Sequence, residues 1–296
     1  MTLTVFTATY NRKYLLEDLY NSLVSQQFKD FEWLVIDDGS TDTTKPFMEL
    51  CKRENKIAIN YFYKENGGKH TAINYGVSKA KGDLMFFVDS DDILTENALQ
   101  LLADEWETIK NNKSINGIVG LFQDEKGVLL GDTFDESIKE VPFAAIYYKH
   151  NLKGDKAVAF KTEILKKYPF PEKEGITFVF EAVVWHAMSK KYKTKCINTP
   201  IQIVSYQPSG LSDSNYKRWY LKGLAFSYFN LVNKNVHPLF TYPSVFFQNY
   251  MYLAINSMLS NQNYFSKLKV YQKIIYVLVF PRALWAYYKM KKLIVK

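Results

Sequence analysis

The chain has 296 residues, 47% hydrophobic and 16% aromatic against 23% charged, with a net charge of +8. That balance excludes a disordered, collagenous or low-complexity chain, and the length suits one large domain or two of roughly 100–200 residues each. The two cysteines, Cys51 and Cys196, have neither a CxxC spacing nor a nearby histidine cluster, which argues against a disulfide framework or a zinc site and for a reducing compartment.

Leu3 to Thr7 reads as a short strand, and Leu15, Leu16, Leu19, Leu23 and Val24 recur at helical spacing after Tyr10-Asn11-Arg12. Phe31 to Ile36 is a second strand, stopped by Asp37-Asp38-Gly39-Ser40-Thr41-Asp42, a run of turn-forming and helix-capping residues. Ile57 to Tyr63 reads as a third strand, Thr71 to Lys79 as a helix, and Leu84 to Val88 as a fourth strand between Gly82 and Asp89. Strands alternating with helices predict an α/β fold with a largely parallel sheet covered on both faces. Ligands of such sheets bind beyond the carboxyl ends of the strands. Tyr10-Asn11-Arg12, Asp37-Asp38-Gly39 and Asp89-Ser90-Asp91-Asp92 are therefore expected along one rim. A helix from Leu99 to about Lys110 follows, then strands from Gly117 to Leu130 around an Asp124-Glu125-Lys126-Gly127 turn. Tyr168-Pro169-Phe170-Pro171 breaks the chain before a helix expected over Glu181 to Tyr192. Beyond Leu211-Ser212-Asp213 the pattern changes to long aromatic helices, which places a domain boundary near residue 215 and divides the chain into 1–215 and 216–296.

The acids on the expected rim carry the chemistry. Asp89, Asp91 and Asp92 would crowd like charges into a small volume unless a cation or donors compensate. Their hard oxygens suit Mg²⁺ or Mn²⁺ holding a diphosphate, while the plainer reading is an acidic turn capping the next helix. Asp38 at the end of a strand is placed either to cap or to accept the imide proton of a uracil-type base. Asn66-Gly67-Gly68-Lys69-His70 opens a helix with backbone amides and a cation, which favours an anion. It matches neither the dinucleotide-binding nor the phosphate-loop pattern.

Val5-Phe6-Thr7-Ala8-Thr9-Tyr10-Asn11-Arg12, Val35-Ile36-Asp37-Asp38-Gly39-Ser40-Thr41-Asp42, the segment from Asn66 to Gly76, Lys81-Gly82-Asp83 and Asp89-Ser90-Asp91-Asp92, in this order, together resemble the family 2 glycosyltransferases. The resemblance is strong to about residue 100, extends to about 215 and fades afterwards. It implies the A-type nucleotide-sugar-binding fold, inverting transfer from a UDP-sugar, and a divalent metal, Mn²⁺ or Mg²⁺. By position it places Ala8 and Tyr10 around the uracil with Arg12 near them, Asp38 on the base, Lys69 near base or phosphate, Asp89 with Ser90 at the ribose, Asp91 with Asp89 on the metal, and Asp92 on the acceptor side. Many members open the acceptor-side helix with a Glu-Asp pair; here only Glu181 stands there, the candidate general base, or else an acid interacting with the helix dipole. Asn215-Tyr216-Lys217-Arg218-Trp219 resembles the QxxRW signature of processive synthases with Asn in place of Gln.

From Ile197 to Lys296 twelve Lys and Arg face one acid, Asp213, so the positive excess belongs wholly to the last third, which also holds 21 of the 48 aromatic residues. Such a region suits an anionic membrane surface or a contact with another subunit in a homo-oligomer. The apolar run from Ile274 to Phe280 is short and meets Pro281-Arg282, so a helix lying in the interface is expected over a spanning one. No run approaches about 18 apolar residues, and the N-terminus lacks a secretion signal. The expected place is therefore the cytoplasm, peripheral on the inner face of the cytoplasmic membrane, with a glycan or lipid-linked acceptor as partner and no nucleic acid. The rival readings are a metal-dependent nucleotidyltransferase of similar fold and a basic module binding nucleic acid or membrane.

Overall fold

The computed structural model describes residues 3–205 and 217–294. The chain divides into two compact units, Met1–Pro169 with Lys191–Gln207, and Phe170–Lys190 with Pro208–Lys296. Residues 170–190, placed with the first domain from the sequence, thus group with the C-terminal helices.

The first unit runs β1 (Leu3–Thr9), α1 (Lys13–Ser25), β2 (Phe31–Asp37), α2 (Thr44–Glu54), β3 (Ala58–Tyr63), α3 (Lys69–Lys79), β4 (Leu84–Phe87), β5 (Asp92–Leu94), α4 (Ala98–Ile109), β6 (Ile115–Gln123), β7 (Glu140–Val141), α5 (Phe143–Tyr148), β8 (Ala157–Lys161), α6 (Thr162–Leu165) and β9 (Lys193–Val204). The strands form one sheet in the order β3-β2-β1-β4-β8-β6-β9-β5, with β7 also on β9. β3, β2, β1 and β4 are parallel neighbours, in the β1–β2 register Leu3 to Phe31 through Thr9 to Asp37. All seven residues of β2 are buried, as a strand covered on both faces requires. The buried Glu32 within it accepts hydrogen bonds at 2.7 Å from Thr4 Oγ1, Asn60 Nδ2 and the Lys81 amide, which replace the water it loses. Leu16, Leu19, Tyr20 and Leu23 of α1 join Trp33, Val35, Leu99 and Trp106 in the main core.

The sheet is mixed beyond β4. β8 enters antiparallel between β4 and β6, and its last residue, Lys161, is buried with Nζ donating to the carbonyls of Ile109 (2.9 Å), Lys110 (3.2 Å) and Asn112 (2.9 Å) at the end of α4. A cation there satisfies carbonyls that the helix leaves open. The helix expected from Glu181 to Tyr192 is shorter, because Lys193 already pairs in β9.

The second unit holds α7 (Ala182–Met188), α8 (Arg218–Asn233), α9 (Pro243–Ser260), a 3-10 turn (Phe265–Lys267) and α10 (Val270–Ile294). Among the described residues no helix is long and apolar enough to cross a membrane. Stacked rings join its elements, Tyr228 on Tyr252 at 5.2 Å and Phe229 on Tyr264 at 4.9 Å. Pro281, expected to end the apolar run, lies inside α10 on its exposed side. The Val277 carbonyl that loses its donor is on an exposed residue, so water can replace the missing bond.

His186 of α7 and His237 are both buried and share a 2.9 Å hydrogen bond, and Asn249 Nδ2 lies 2.9 Å from the other nitrogen of His237. The chain closes with both rings neutral: Asn249 donates to His237 Nδ1, and His237 Nε2 donates to His186 Nδ1. Burial pushes both imidazoles well below their usual range, and the His237 charge pushes His186 further. Since the unfolded chain binds protons from about pH 6.5 downward while the folded pair does not, stability is present above that pH and is lost as pH falls below it. Denaturant midpoints measured from pH 7.5 to 5 should reveal a net loss of stability, the pair contributing up to about 2.7 kcal/mol per pH unit and the buried Asp92, whose carboxyl is raised to about 8, offsetting up to about 1.4 kcal/mol of it; a flat profile would contradict the neutral pair.

Candidate functional site

Three strands of the first unit end side by side, and their following loops tie together. Asn11, in the left-handed region at φ 53°, donates its amide to Ser40 Oγ at 2.8 Å and accepts from the Thr41 amide at 2.7 Å. The loop after β1 is thereby fixed to the loop after β2. Ala8, on β1, pairs with Ile36, and Tyr10 beyond the strand is 49% exposed, a ring open to a flat ligand.

The two adjacent acids closing β2 separate into different roles. Asp37 is enclosed, accepting from Tyr61 Oη at 2.6 Å and from the Ser40 amide at 2.7 Å. Asp38, 4% exposed, accepts from Lys64 Nζ at 2.6 Å and from the amides of Gly67 at 3.0 Å and Gly68 at 2.7 Å. A carboxylate has about four acceptor positions, so one remains for a ligand proton. Gly39 at φ 94° and Gly68 at φ 92° make this approach feasible. A Cβ on Gly39 would lie 2.8 Å from the Asn66 nitrogen. Sequence reasoning missed Lys64; its position at the foot of β3, just before the glycine pair, was the available signal.

Beyond β4 the remaining acids meet their cations. Lys69, first residue of α3, lies 2.6 Å from Asp89, and Arg12 lies 3.1 Å from Asp91 and 3.4 Å from Ser90 Oγ. Asp92 opens β5, pairs with Val204 of β9 and is buried. Its carboxyl is pushed up to about 8 by burial first, then by the charges of Asp89 and Asp91. Ala8, Tyr10, Arg12, Asp38, Lys69, Asp89, Ser90, Asp91 and Asp92 thus all belong to the first unit. Asp91 also lines a cavity of about 360 Å³ with Asp18, Asn21, Ser22, Glu125 and Ser205.

Glu181 belongs to the second unit, where it begins α7, and its Oε2 accepts from Trp185 Nε1 at 3.3 Å. Asp213, Asn215 and Tyr216 lie outside the described residues.

The donor set of Asp89 and Asp91 fits a divalent cation with few protein ligands: two hard carboxylates, already drawing positive charge from Lys69 and Arg12. Among the described residues no cluster of three or more His, Cys, Asp or Glu forms a fuller metal cage.

Residues 4–167 match the family described as glycosyl transferase family 2. The chain belongs to that family. A relative from Campylobacter jejuni, GalNAc(5)-diNAcBac-PP-undecaprenol beta-1,3-glucosyltransferase, is 38% identical over 105 residues, 34% of this chain and 33% of that protein. The chain spans about a third or less of the length of the curated relatives it matches. Among solved structures, S. aureus TarS 1-349 in complex with UDP-GlcNAc superposes with a TM-score of 0.58 at 20% identity, covering 96% of this chain and 81% of that one. Mannosyltransferase PcManGT from Pyrobaculum calidifontis, in complex with GDP-Man and Mn²⁺, gives 0.55 at 16% identity, covering 99% and 83%. The fold is therefore the A-type glycosyltransferase fold expected from the sequence.

Proposed function

We propose that this family 2 member is an inverting glycosyltransferase that moves a hexosyl group from a UDP-sugar to a hydroxyl of a lipid-linked or growing polysaccharide acceptor, at the inner face of the cytoplasmic membrane. The observation that carries the reading is the pairing of Asp89 with Lys69 and Asp91 with Arg12 beside the nearly enclosed Asp38. Carboxylates and cations interleaved on one rim match a ligand that is itself a diphosphate with a cation. An undecaprenol-linked glucosyltransferase among the relatives, and similar structures that hold UDP-GlcNAc and GDP-Man, support a nucleotide-sugar donor and a lipid-linked acceptor.

In this reading Tyr10 stacks on the uracil, the Ala8 backbone lies at its edge, and the remaining acceptor position of Asp38 takes the imide proton. Asp89 and Ser90 serve the ribose, and Arg12 and Lys69 turn from their carboxylates to the diphosphate. Asp91, with Asp89, would hold Mn²⁺ or Mg²⁺, which when bound neutralises charge on the leaving diphosphate. The cavity beside Asp91 is lined by the apolar Leu15, Ile93 and Ile203 as well as by hydroxyls and carboxylates, a mixed wall that suits the polar and apolar faces of a sugar. As the acceptor oxygen bonds to the anomeric carbon and the bond to the diphosphate breaks, the hydroxyl proton passes to a carboxylate, assigned to Glu181 by its family-like place opening a helix, with Asp92 as the second acid on the acceptor side.

UDP is expected to raise the melting temperature with Mn²⁺ or Mg²⁺ present and to do so far less with a chelator, since each ligand stabilises the state that binds the other. Equal shifts under both conditions would remove the metal from the reading. The anomeric configuration of the product, read by NMR, tests inversion, and release of pyrophosphate from a nucleoside triphosphate would instead favour a nucleotidyltransferase.

A further inference from the structure

The longest helix of the second unit leaves an apolar face uncovered. Tyr271, Ile274, Val277, Leu278, Trp285 and Tyr288 of α10 are all exposed, Leu278 at 71% and Trp285 at 67%. With successive residues about 100° apart around a helix, they form a single stripe. Gln272, Tyr276 and Ala283, which are buried, lie on the opposite side and attach the helix to its unit. Gln272 does so through a 2.9 Å bond from Nε2 to the Val232 carbonyl.

Charge decides what can cover the stripe. From Ser214 to the end the sequence has no Asp or Glu and twelve Lys and Arg. On α10 the basic residues border the stripe on both sides, Arg282 and Lys289 along one edge and Lys273 and Lys291 along the other, and Lys292, in line with Ile274, closes its C-terminal end. Lys289 Nζ sits 5.5 Å from the centre of the Trp285 ring, so apolar and cationic groups share one surface. A second copy seated face to face would press these cations together with no acid on either helix to offset them. A bilayer bearing phosphate headgroups offers the complement on both counts: acyl chains for Ile274, Val277 and Leu278, the headgroup level for the Trp and Tyr rings, and negative charge for the bordering cations.

We infer that the exposed face of α10 seats the protein on an anionic lipid surface, with the helix lying along the membrane. The surface rests on α10 alone and holds whichever sugar and acceptor the catalytic rim takes. The full chain should co-sediment with phosphatidylcholine vesicles containing phosphatidylglycerol, and at least about tenfold more weakly with phosphatidylcholine alone, as several basic residues near a charged surface require. Two sets of changes separate the contributions: Ile274→Ser with Leu278→Ser and Trp285→Ser, and Arg282→Glu with Lys289→Glu and Lys292→Glu. Each should weaken vesicle binding by about 30-fold or more with the melting temperature unchanged, because the altered side chains are exposed. Failure of the unaltered chain to bind the anionic vesicles would overturn the inference, as would unchanged binding by either variant. A wild-type dimer in sedimentation equilibrium that the serine variant makes monomeric would assign the face to a second copy instead. Vesicle binding needs neither donor nor acceptor, so its failure removes the membrane placement from the proposed function and leaves the transfer reaction intact.

Discussion

Asp91→Asn is expected to lower sugar transfer by about 10³-fold while leaving the protein folded. The substitution keeps size and hydrogen-bonding capacity but removes one of the two hard carboxylates available to a divalent cation. Charge stabilisation of a leaving diphosphate by a metal is worth several kcal/mol, and each 1.36 kcal/mol is about tenfold in rate. The same change has little effect on stability. Its ion pair with Arg12, at 3.1 Å and partly open to solvent, contributes about 0–1 kcal/mol, and the loss is offset by relief of repulsion on the buried Asp92. Kinetics with Mn²⁺ and a melting curve without ligand check both halves. Wild-type transfer would remove Asp91 from the metal role, and a large drop in melting temperature would make it a structural residue.

Glu181→Gln should reduce transfer by roughly 10²–10⁴-fold, the usual contribution of a general base. Glutamine retains an oxygen able to accept from Trp185 Nε1, and α7 begins with backbone bonds from Val184 and Trp185 to the carbonyl of residue 181 that the side chain does not alter. The fold is therefore preserved, and the shift in melting temperature on adding UDP with metal should match the wild type. Near-normal transfer would move the base to another acid, Asp92 first, for which Asp92→Asn is the matching test.

The parallel half of the sheet and its rim were legible because the signals are local. The short β-rich run from Leu3 to Thr7, the apolar run from Phe31 to Ile36, helical spacing from Leu15 to Val24, and polar clusters directly after strands each depend on residues a few positions apart. Parallel order then places successive strand ends on one edge, so Tyr10, Asp38 and Asp89 were expected together, and the bonds of Asn11 to Ser40 and Thr41 join the first two of those loops. Local pattern had no means to separate Asp37 from Asp38, identical neighbours with different fates. Tyr61 and the Ser40 amide enclose the first, and Lys64 with two glycine amides claims the second. Nor did it place β8 between β4 and β6, make Lys161 the cap of a distant helix, group residues 170–190 with the C-terminal helices, or carry α10 through Pro281. Periodicity and turn chemistry are short-range properties, so the sequence by itself determined the βα succession and the loops rich in acid and glycine. Which carboxylate meets which cation, and which face of α10 stays uncovered, is decided by packing between residues far apart in the chain, and only the tertiary structure supplies that.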